Sequence, residues 1–503
     1  MSLSRYDFIV IGAGSAGCTA AAGLSMRGAG SVLVIEAGPS DRTPLVRMPF
    51  GLIWMMGSKR RDWRFSSTPQ AGLGGRKLNV PRGKTLGGSG SINSMVWFRG
   101  RGDDFDSWHV PGWTWAEVAP AFEEVEAQIV PSRLAHPHPL SEGLHSLLGG
   151  NGHEPPTPEY ESAGVFHYNI RNGRRWSAAD AFLRPAMAKG VKVLQSHSVA
   201  RLGFDGDRAT HVVLSDDTEI RANKGIVLSA GSIGSPAILF ASGIGPAGDL
   251  RAAGIDPRLD AEGVGANLHD HPAVGVHHAG PHSGYGLALS QAQVWASAPF
   301  QWALGGRGVF ASPVVEGGAF FNAAGDGAPP DVQCHFIPFY LGWEGRRYQR
   351  GRGYFADVGI CRPKSRGALR LGRTGLEIDL GVLRDPADTD LLIKGFRKLR
   401  QLMAEADFGT HAAPEAFPGA SVETDAQIRA HVIARAATAY HPVGTLRMGV
   451  GDAPVSPRLA VKGVEGLWVA DASVMPAVTS ANTNAPSMMI GHRAGQFIAE
   501  DVA

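Results

Sequence analysis

Three glycines and one acid give the start of the chain a definite chemistry. In "YDFIVIGAGSAGCTAAAGL", Gly12, Gly14 and Gly17 form G-x-G-x-x-G, and Glu36 closes the next apolar run. Gly12 permits a tight turn, Gly14 leaves room for a pyrophosphate beside the backbone, and Gly17 lets a helix pack close to a strand. The N-terminus of that helix faces the anion. A carboxylate about 20 residues further on binds ribose hydroxyls and repels the extra phosphate of NADP. The pattern predicts a dinucleotide and leaves FAD and NAD open. Near the other end, "AYHPVGTLRMG" holds His441, and "SANTNAP" holds Asn482 and Asn484. A neutral imidazole, with a pKa near ~6.5, suits a proton acceptor. Taken alone, the stretch does not decide between a buried structural residue, a metal ligand and a proton acceptor, and an isolated histidine is most often the first.

The elements that must position these residues are legible around them. Phe8 to Ile11 is an apolar run suited to a strand buried on both faces. Ala16 to Leu24 is small and apolar, as expected of a helix packed tightly on a sheet, and Val32 to Ile35 reads as a second strand. "IVLSAGSIGSP" predicts a strand, Ile226 to Leu228, running into a small-residue turn, and Leu467 to Ala470 predicts another that ends in Asp471 and Ala472. Open α/β sheets place ligands at such strand ends. Thr114 and Glu117 form a capping box ahead of a helix with Val118, Phe122, Val125 and Ile129 inward. A second packing helix is expected over Asp385 to Leu402, with Leu391, Leu392, Phe396 and Leu399 inward.

The bulk composition sets outer bounds. A chain of 503 residues with 44% hydrophobic content supports two packed domains, or one large one with an inserted part. Lys and Arg (48) nearly balance Asp and Glu (46), so no basic face for nucleic acid is indicated. Cys18, Cys334 and Cys361 have neither metal-type nor redox-type spacing, which suits a reducing compartment. No apolar run reaches the length of a membrane span, and the nucleotide motif begins at once, with no preceding leader. The expectation is a cytoplasmic protein, monomeric or homodimeric.

Two further segments, "GKTLGGSGSINSMVWFRG" (Gly83 to Gly100) and "GSIGSPAILFASGIG" (Gly231 to Gly245), resemble the signatures of the glucose–methanol–choline (GMC) oxidoreductases, which oxidise alcohols with FAD. The first departs mildly at Gly90, where a small hydroxyl residue is usual. The resemblance continues through "DFDSW", "GVGANLHDHP", "RPKSRGALRL" and "VADASVMPAVTSANTNAPSMMIG", in the family's order. Within the family the chain looks similar to bacterial alcohol, sorbose and choline dehydrogenases, and to aryl-alcohol and hydroxymethylfurfural oxidases. The resemblance implies an α/β fold: a Rossmann-type FAD-binding domain with a second α+β domain, an antiparallel sheet flanked by helices, over the flavin. The expected division is 1–155, 192–272 and 437–503 for FAD, with 156–191 and 273–436 for substrate.

In "TLGGSGSIN" the small residues bring backbone N–H groups close to something large and flat, and Asn93 can bond it through its side chain. Some relatives attach FAD to a histidine in this segment. Ile92 and Asn93 stand there in this chain, so the FAD is expected to be non-covalent. The resemblance puts Asp471 and Ala472 at the diphosphate and ring end, Val199 at the adenine and Trp63 near the isoalloxazine. It adds Ser15, Ala16, Ala37, Leu86, Gly88, Met95, Val96, Ala230, Asn482 and Thr483 as cofactor neighbours.

Alcohol oxidation by a flavin requires a hydride to leave carbon and a proton to leave oxygen. By resemblance, His441 is the catalytic histidine and Asn484, the second asparagine of "NTN", its partner. His441 is expected to accept the hydroxyl proton while Asn484 holds the oxygen. Tyr440, Glu316 in "VVEGGAF" and Phe339 are expected on the substrate side. The expected function is oxidation of a primary or secondary alcohol, with flavin reoxidation by oxygen, a quinone or a dye-like acceptor. The alternative is a non-redox lyase of the hydroxynitrile lyase type, which keeps FAD without using it. His269, Asp270 and His271, with His277 and His278, suggest a metal only superficially, and none is expected. Asp331 to Phe355, with Arg346, Arg347, Arg350 and Arg352, is read as a pocket-covering loop with a solvated basic tip rather than a nucleic-acid surface.

Overall fold

In the computed structural model, which describes residues 5–149, 154–342 and 349–502, strand β1 (Arg5–Ile11) leads into helix α1 (Ser15–Met26) and then strand β2 (Val32–Glu36). Phe8 to Ile11 and all of β2 are buried, as strands covered on both faces must be. β3 (Lys192–Gln195), β4 (Val199–Asp205), β5 (Arg208–Leu214) and β6 (Glu219–Leu228) complete the row, in the order β3-β2-β1-β6-β5-β4. The strand Leu467–Val469 lies parallel on β6.

The parallel register aligns one edge of this sheet. Ile11 pairs with Ile35 and with Leu228, and Leu228 pairs with Val469. These strands therefore deliver their ends to the same rim: Gly12 after β1, Glu36 at the end of β2, Ser229 after β6 and Asp471 just beyond Val469. Helix α2 (Gly231–Ala241) starts from that rim, and the C-terminal helix α3 (Asn484–Asp501) packs along α1. The capped helix Trp115–Ile129 has the expected box, with the Glu117 carboxylate accepting from both N and Oγ of Thr114. Val118, Phe122, Val125 and Ile129 are buried.

A second sheet is antiparallel. β7 (Pro272–Ala279), β8 (Gly317–Phe321), β9 (Val332–Ile337) and β10 (Gly353–Ile360) lie in the order β7-β10-β9-β8, flanked by Glu415–Phe417 on β7 and Ser162–Val165 on β8. The helix Pro386–Glu405 packs on β10 at Gly395, where a Cβ would lie 3.2 Å from Val358 Cγ2; Leu392, Phe396 and Leu399 are buried, and Leu391 is only half-buried. The short strand Ala437–Thr438 pairs with β7, Thr438 opposite Pro272, although it opens the block expected to bind FAD.

One expectation is corrected here. Both ends of the stretch read as a covering loop, Asp331 to Phe355, are strands of the second sheet. β9 is buried throughout, so its polar residues are interior rather than solvated. Arg346 and Arg347 lie outside the described residues. Arg352 is held by the backbone, its guanidinium donating to the carbonyls of Ser283 (2.6 Å) and Gly284 (3.2 Å).

Candidate active site

A cavity of about 1020 Å³ runs from the rim of the first sheet to the inner face of the second. Gly12, Gly14, Ser15, Ala16, Glu36, Ala37 and Val199 line one end, with Ala230, Asp471 and Ala472 along its length. Trp63, Gly88, Asn93, Met95, Val96, Asn482, Thr483, Asn484, Tyr440 and His441 surround the other. Gly12 has φ +99, and a Cβ there would lie 2.4 Å from the carbonyl oxygen of Ser229. A Cβ on Gly17 would lie 2.0 Å from the Gly12 carbonyl. Gly17 is thus a packing position between helix and turn and does not line the cavity. Leu86 is buried and does not line it either.

The charged groups on the rim are tied to the turns they follow. Glu36 accepts from Ala13 N (2.9 Å) and Gly38 N (2.8 Å), and burial pushes its carboxyl up to about 7. Asp471 accepts from Gly231 N (2.9 Å), Ser235 Oγ (2.5 Å) and Ser473 N (2.8 Å), which pins the start of α2. Its carboxyl is raised by burial. Asn93 accepts from Arg175 Nη1 (2.8 Å) and Met95 N (3.0 Å), and so is anchored from behind. The cavity fits a dinucleotide with a flat ring system. Gly14 and Gly88 approach so closely that a Cβ on Gly88 would meet Gly14 Cα at 2.7 Å. The buried Asn484 Nδ2 beside them has no hydrogen-bond partner among the described residues.

His441 is reached from two directions. Ala437–Thr438 runs beside Pro272, so the two chain segments carry His441 and His271 together. Tyr440, with φ 66, turns the chain sharply just before His441. Asp270 Oδ1 accepts from the backbone N of both His441 (2.8 Å) and His271 (2.7 Å). The rings then meet, Nδ1 to Nδ1, at 3.0 Å.

The hydrogen bonds determine the tautomers. His271 Nε2 lies 3.0 Å from the Thr479 carbonyl, which only accepts, so Nε2 carries the proton. Burial pushes the His271 pKa down to about 4, so its Nδ1 holds a lone pair. His441 Nδ1–H must donate to it. His441 is itself held well below the usual histidine value, by burial first and then by His271, His335 and Arg82. It is therefore neutral at pH 7, with its remaining lone pair on Nε2. The Asn482 amide nitrogen lies 3.1 Å from that atom. Asn482 is oriented in turn by Gln333, whose Nε2 donates to Asn482 Oδ1 at 3.0 Å.

Three expectations change. Asn484 is not the partner of His441; Asn482 is. Asn484 is the first residue of α3, and its Oδ1 accepts from Ser15 Oγ at 2.7 Å, on the dinucleotide side. Asn482 lies before the helix and faces the imidazole. Glu316 does not reach the substrate side: it is buried and accepts from Ser312 Oγ (2.6 Å), His138 N (2.7 Å) and Ser141 Oγ (2.9 Å). It ties the 138–141 segment to the start of β8. Phe339 packs behind the cavity wall against Phe50 and Trp295 and does not line it.

Sequence reasoning passed over His271, His335 and Asp357. The signal for His271 is present in "NLHDHP", which by type alone suggests only a metal site. Among the described residues no group of three or more His, Cys, Asp or Glu side chains is placed to hold a metal ion. His269, the other unusual residue there, staples two loops, with Nδ1 2.6 Å from the Asn267 carbonyl and Nε2 accepting from Val478 N at 2.9 Å. No helix among the described residues is long and apolar enough to cross a membrane.

Comparisons with known proteins agree with this architecture. Two family models, both described as GMC oxidoreductase, match residues 6–273 and 363–491. An oxygen-dependent choline dehydrogenase of Rhizobium johnstonii is 36% identical over 98% of this chain and 95% of its own. Its counterpart in Brucella suis is also 36% identical, with the same coverage. Among solved structures, pyridoxine 4-oxidase from "Mesorbium loti" superposes with a TM-score of 0.80 at 26% identity, over 97% of this chain and 98% of that one. An Aspergillus oryzae formate oxidase shares the fold, with a TM-score of 0.87 at 22% identity and 99% of each chain covered.

Proposed function

The chain belongs to the GMC oxidoreductase family and is an FAD-dependent alcohol oxidoreductase; from that premise we propose that His441 Nε2 takes the hydroxyl proton of an uncharged primary or secondary alcohol. The tautomer of His441 carries this reading. A neutral ring with Nδ1–H spent on His271 presents a lone pair at Nε2, as a general base requires. Asn482 sits against that atom and holds the substrate oxygen beside it. Bound FAD supplies the two-electron acceptor for the carbinol hydride. Gly12, Gly14, Ser15 and Glu36 would hold its adenosine diphosphate end, and Gly88, Asn93, Met95 and Val96 would hold its ring.

An uncharged alcohol is favoured by the cavity wall. Ile53, Trp63, Val314, Ile337, Phe355 and Phe417 make its outer part apolar and aromatic. Glu316 faces elsewhere, and Asp357, the carboxylate on the second sheet's inner face, is joined to His335 at 3.0 Å. A cationic alcohol such as choline, the substrate in its relatives' names, would find aromatic faces but, among the described residues, no unengaged carboxylate.

The test is an anaerobic panel of benzyl, furanic, aliphatic and sugar alcohols and choline, read by loss of flavin absorbance. Bleaching by the uncharged aryl or aliphatic alcohols is expected. Bleaching by choline alone would overturn the substrate reading, and bleaching by none would favour the lyase. Peroxide formed in air separates an oxidase from a dehydrogenase. With Ile92 and Asn93 in the glycine segment, the FAD is held without a covalent bond. Acid precipitation should leave all the yellow colour in the supernatant, and colour in the pellet would contradict this.

A further inference from the structure

"RNGRRWS" places three arginines close together, and the fold treats one of them differently. Ile170–Arg171 and Arg174–Arg175 form a short hairpin, with Ile170 paired to Arg175. Arg171 is exposed and lies over Trp176, 4.6 Å from its ring centroid; Arg174 is exposed and lies over Trp302 at 5.6 Å. Arg175 turns to the opposite face, as strand neighbours do, and is only 3% exposed. Its guanidinium donates from Nε to the Val46 carbonyl (3.0 Å) and from Nη1 to the Gly90 carbonyl (3.1 Å) and Asn93 Oδ1 (2.8 Å). Nη2 is buried and makes no hydrogen bond among the described residues. The proton transfer described above uses none of these groups.

All three acceptors are neutral, so a buried cation stands here with no carboxylate bonded to it among the described residues. Asp180 is the one charged group that eases it from a distance. That carboxylate is already bonded to Arg184 Nη1 (2.5 Å) and Ser177 Oγ (3.1 Å), and it lies 3.9 Å from Arg47. Burial pushes the Arg175 pKa down to about 9, so the side chain keeps its charge at pH 7. An unpaired buried charge is destabilising, and its retention points to a counter-charge that appears during the working cycle. Asn93 connects the cation to the place where that charge would appear. It lines the cavity, and its Oδ1 is committed to Arg175 and to Met95 N (3.0 Å). The amide nitrogen is therefore the end left to the cavity, with two N–H donors. A charged donor on the amide oxygen polarises the group and strengthens those donors.

We propose that Arg175, acting through Asn93, raises the reduction potential of the bound flavin. This rests on the placement of the ring beside Asn93 in the functional reading given above. Hydride uptake brings two electrons and one proton to the ring and leaves it one unit more negative than before. The guanidinium behind Asn93 faces that new charge where little water screens it, and opposite charges attract most strongly in such a place. The cation that lacks a partner while the flavin is oxidised gains one when the flavin is reduced. Arg175 does not line the cavity and is a positioning residue, and Asn93 is the group that meets the ring.

Midpoint potentials of the FAD-loaded protein, measured by anaerobic titration with dithionite and a redox dye, test this without any alcohol. Arg175→Gln should shift the balance toward oxidised flavin by about tenfold or more, which is a midpoint lower by about 30 mV for two electrons. Arg175→Lys, which keeps a charge but not the planar fork, should recover most of that shift. Asn93→Ala should lower the midpoint as well. The double variant should fall little further than the larger of the single shifts, because both changes interrupt one path. Flavin absorbance checks that each variant is loaded. An unchanged midpoint in Arg175→Gln overturns the proposal, and if that variant holds no flavin, an unchanged midpoint in Asn93→Ala does so. An equal fall in Arg175→Lys and Arg175→Gln would assign the effect to the shape of the fork rather than its charge and overturns it too, as do single shifts that add in full. A protein that no alcohol reduces still yields these midpoints, so failure of the oxidation reading shows in the alcohol panel and failure of the tuning role in the potentials.

Discussion

His441 and Asn482 illustrate how a small displacement in sequence changes a chemical assignment. Asn482 and Asn484 are two residues apart in "NTN", and both face the cavity, yet only one meets the imidazole. The other is bound to Ser15 at the start of α1. The two roles predict different losses. His441→Ala removes the base and should slow anaerobic flavin reduction by about a hundredfold or more. Asn482→Ala should slow the same step, because the substrate oxygen loses its partner. Asn484→Ala should instead lower FAD affinity and leave the reduction rate of the FAD-saturated protein within a few-fold. Stopped-flow reduction and flavin titration of the three variants separate these outcomes. A larger loss of rate in Asn484→Ala than in Asn482→Ala would reverse the assignment.

At the scale of elements, the turn after β1 is the most demanding piece of backbone. Gly12 has a positive φ of 99°, and its missing side chain faces the Ser229 carbonyl at the end of β6. Gly12→Ala would force two parallel strands apart where the diphosphate must sit. The expected result is a protein that purifies with little flavin and has a lower melting temperature. Full flavin occupancy in Gly12→Ala would contradict this. This turn was legible in the sequence because strand, glycines and helix are contiguous and their geometry is local. The second sheet was not legible in detail: β9 and β10 are interior strands whose polar residues, His335 and Asp357, pair across the register. Neither periodicity nor a motif marks a pair that only strand alignment brings together.

For the molecule as a whole, burial of ionisable groups gives stability a pH dependence. Burial holds His138 and His271 down to about 4 and His269 and His277 to about 3, and it also lowers His278, His431 and His441. Each such histidine takes up its proton in the unfolded chain near ~6.5 but not in the fold, so its contribution is lost as pH falls below that value. The raised carboxyls of Glu36 and Asp270, both about 7, work the other way, because the folded state binds their protons first. Glu316, Asp331 and Asp471 are raised too. The histidines outnumber them, so stability should fall between pH 7 and pH 5 by about 1.4 kcal/mol per pH unit for each net proton. Thermal melts across that range should show a steadily lower midpoint toward acid. A midpoint that rises toward pH 5 would mean that the carboxyls dominate.

Alone, the sequence determined the dinucleotide turn, the family, the alcohol-oxidising chemistry and His441 as the residue to watch. The turn follows from local backbone geometry, and the family, its chemistry and His441 follow from the resemblance of contiguous motifs to the family's signatures. Only the tertiary structure decided which asparagine faces His441, because the first turn of α3 carries Asn484 toward Ser15. It alone placed Glu316 in a buried knot of donors, set the tautomer of His441 through His271, and brought His335 to Asp357. These contacts join residues far apart in the chain, and their strength depends on burial and on strand register, which no short stretch of sequence encodes.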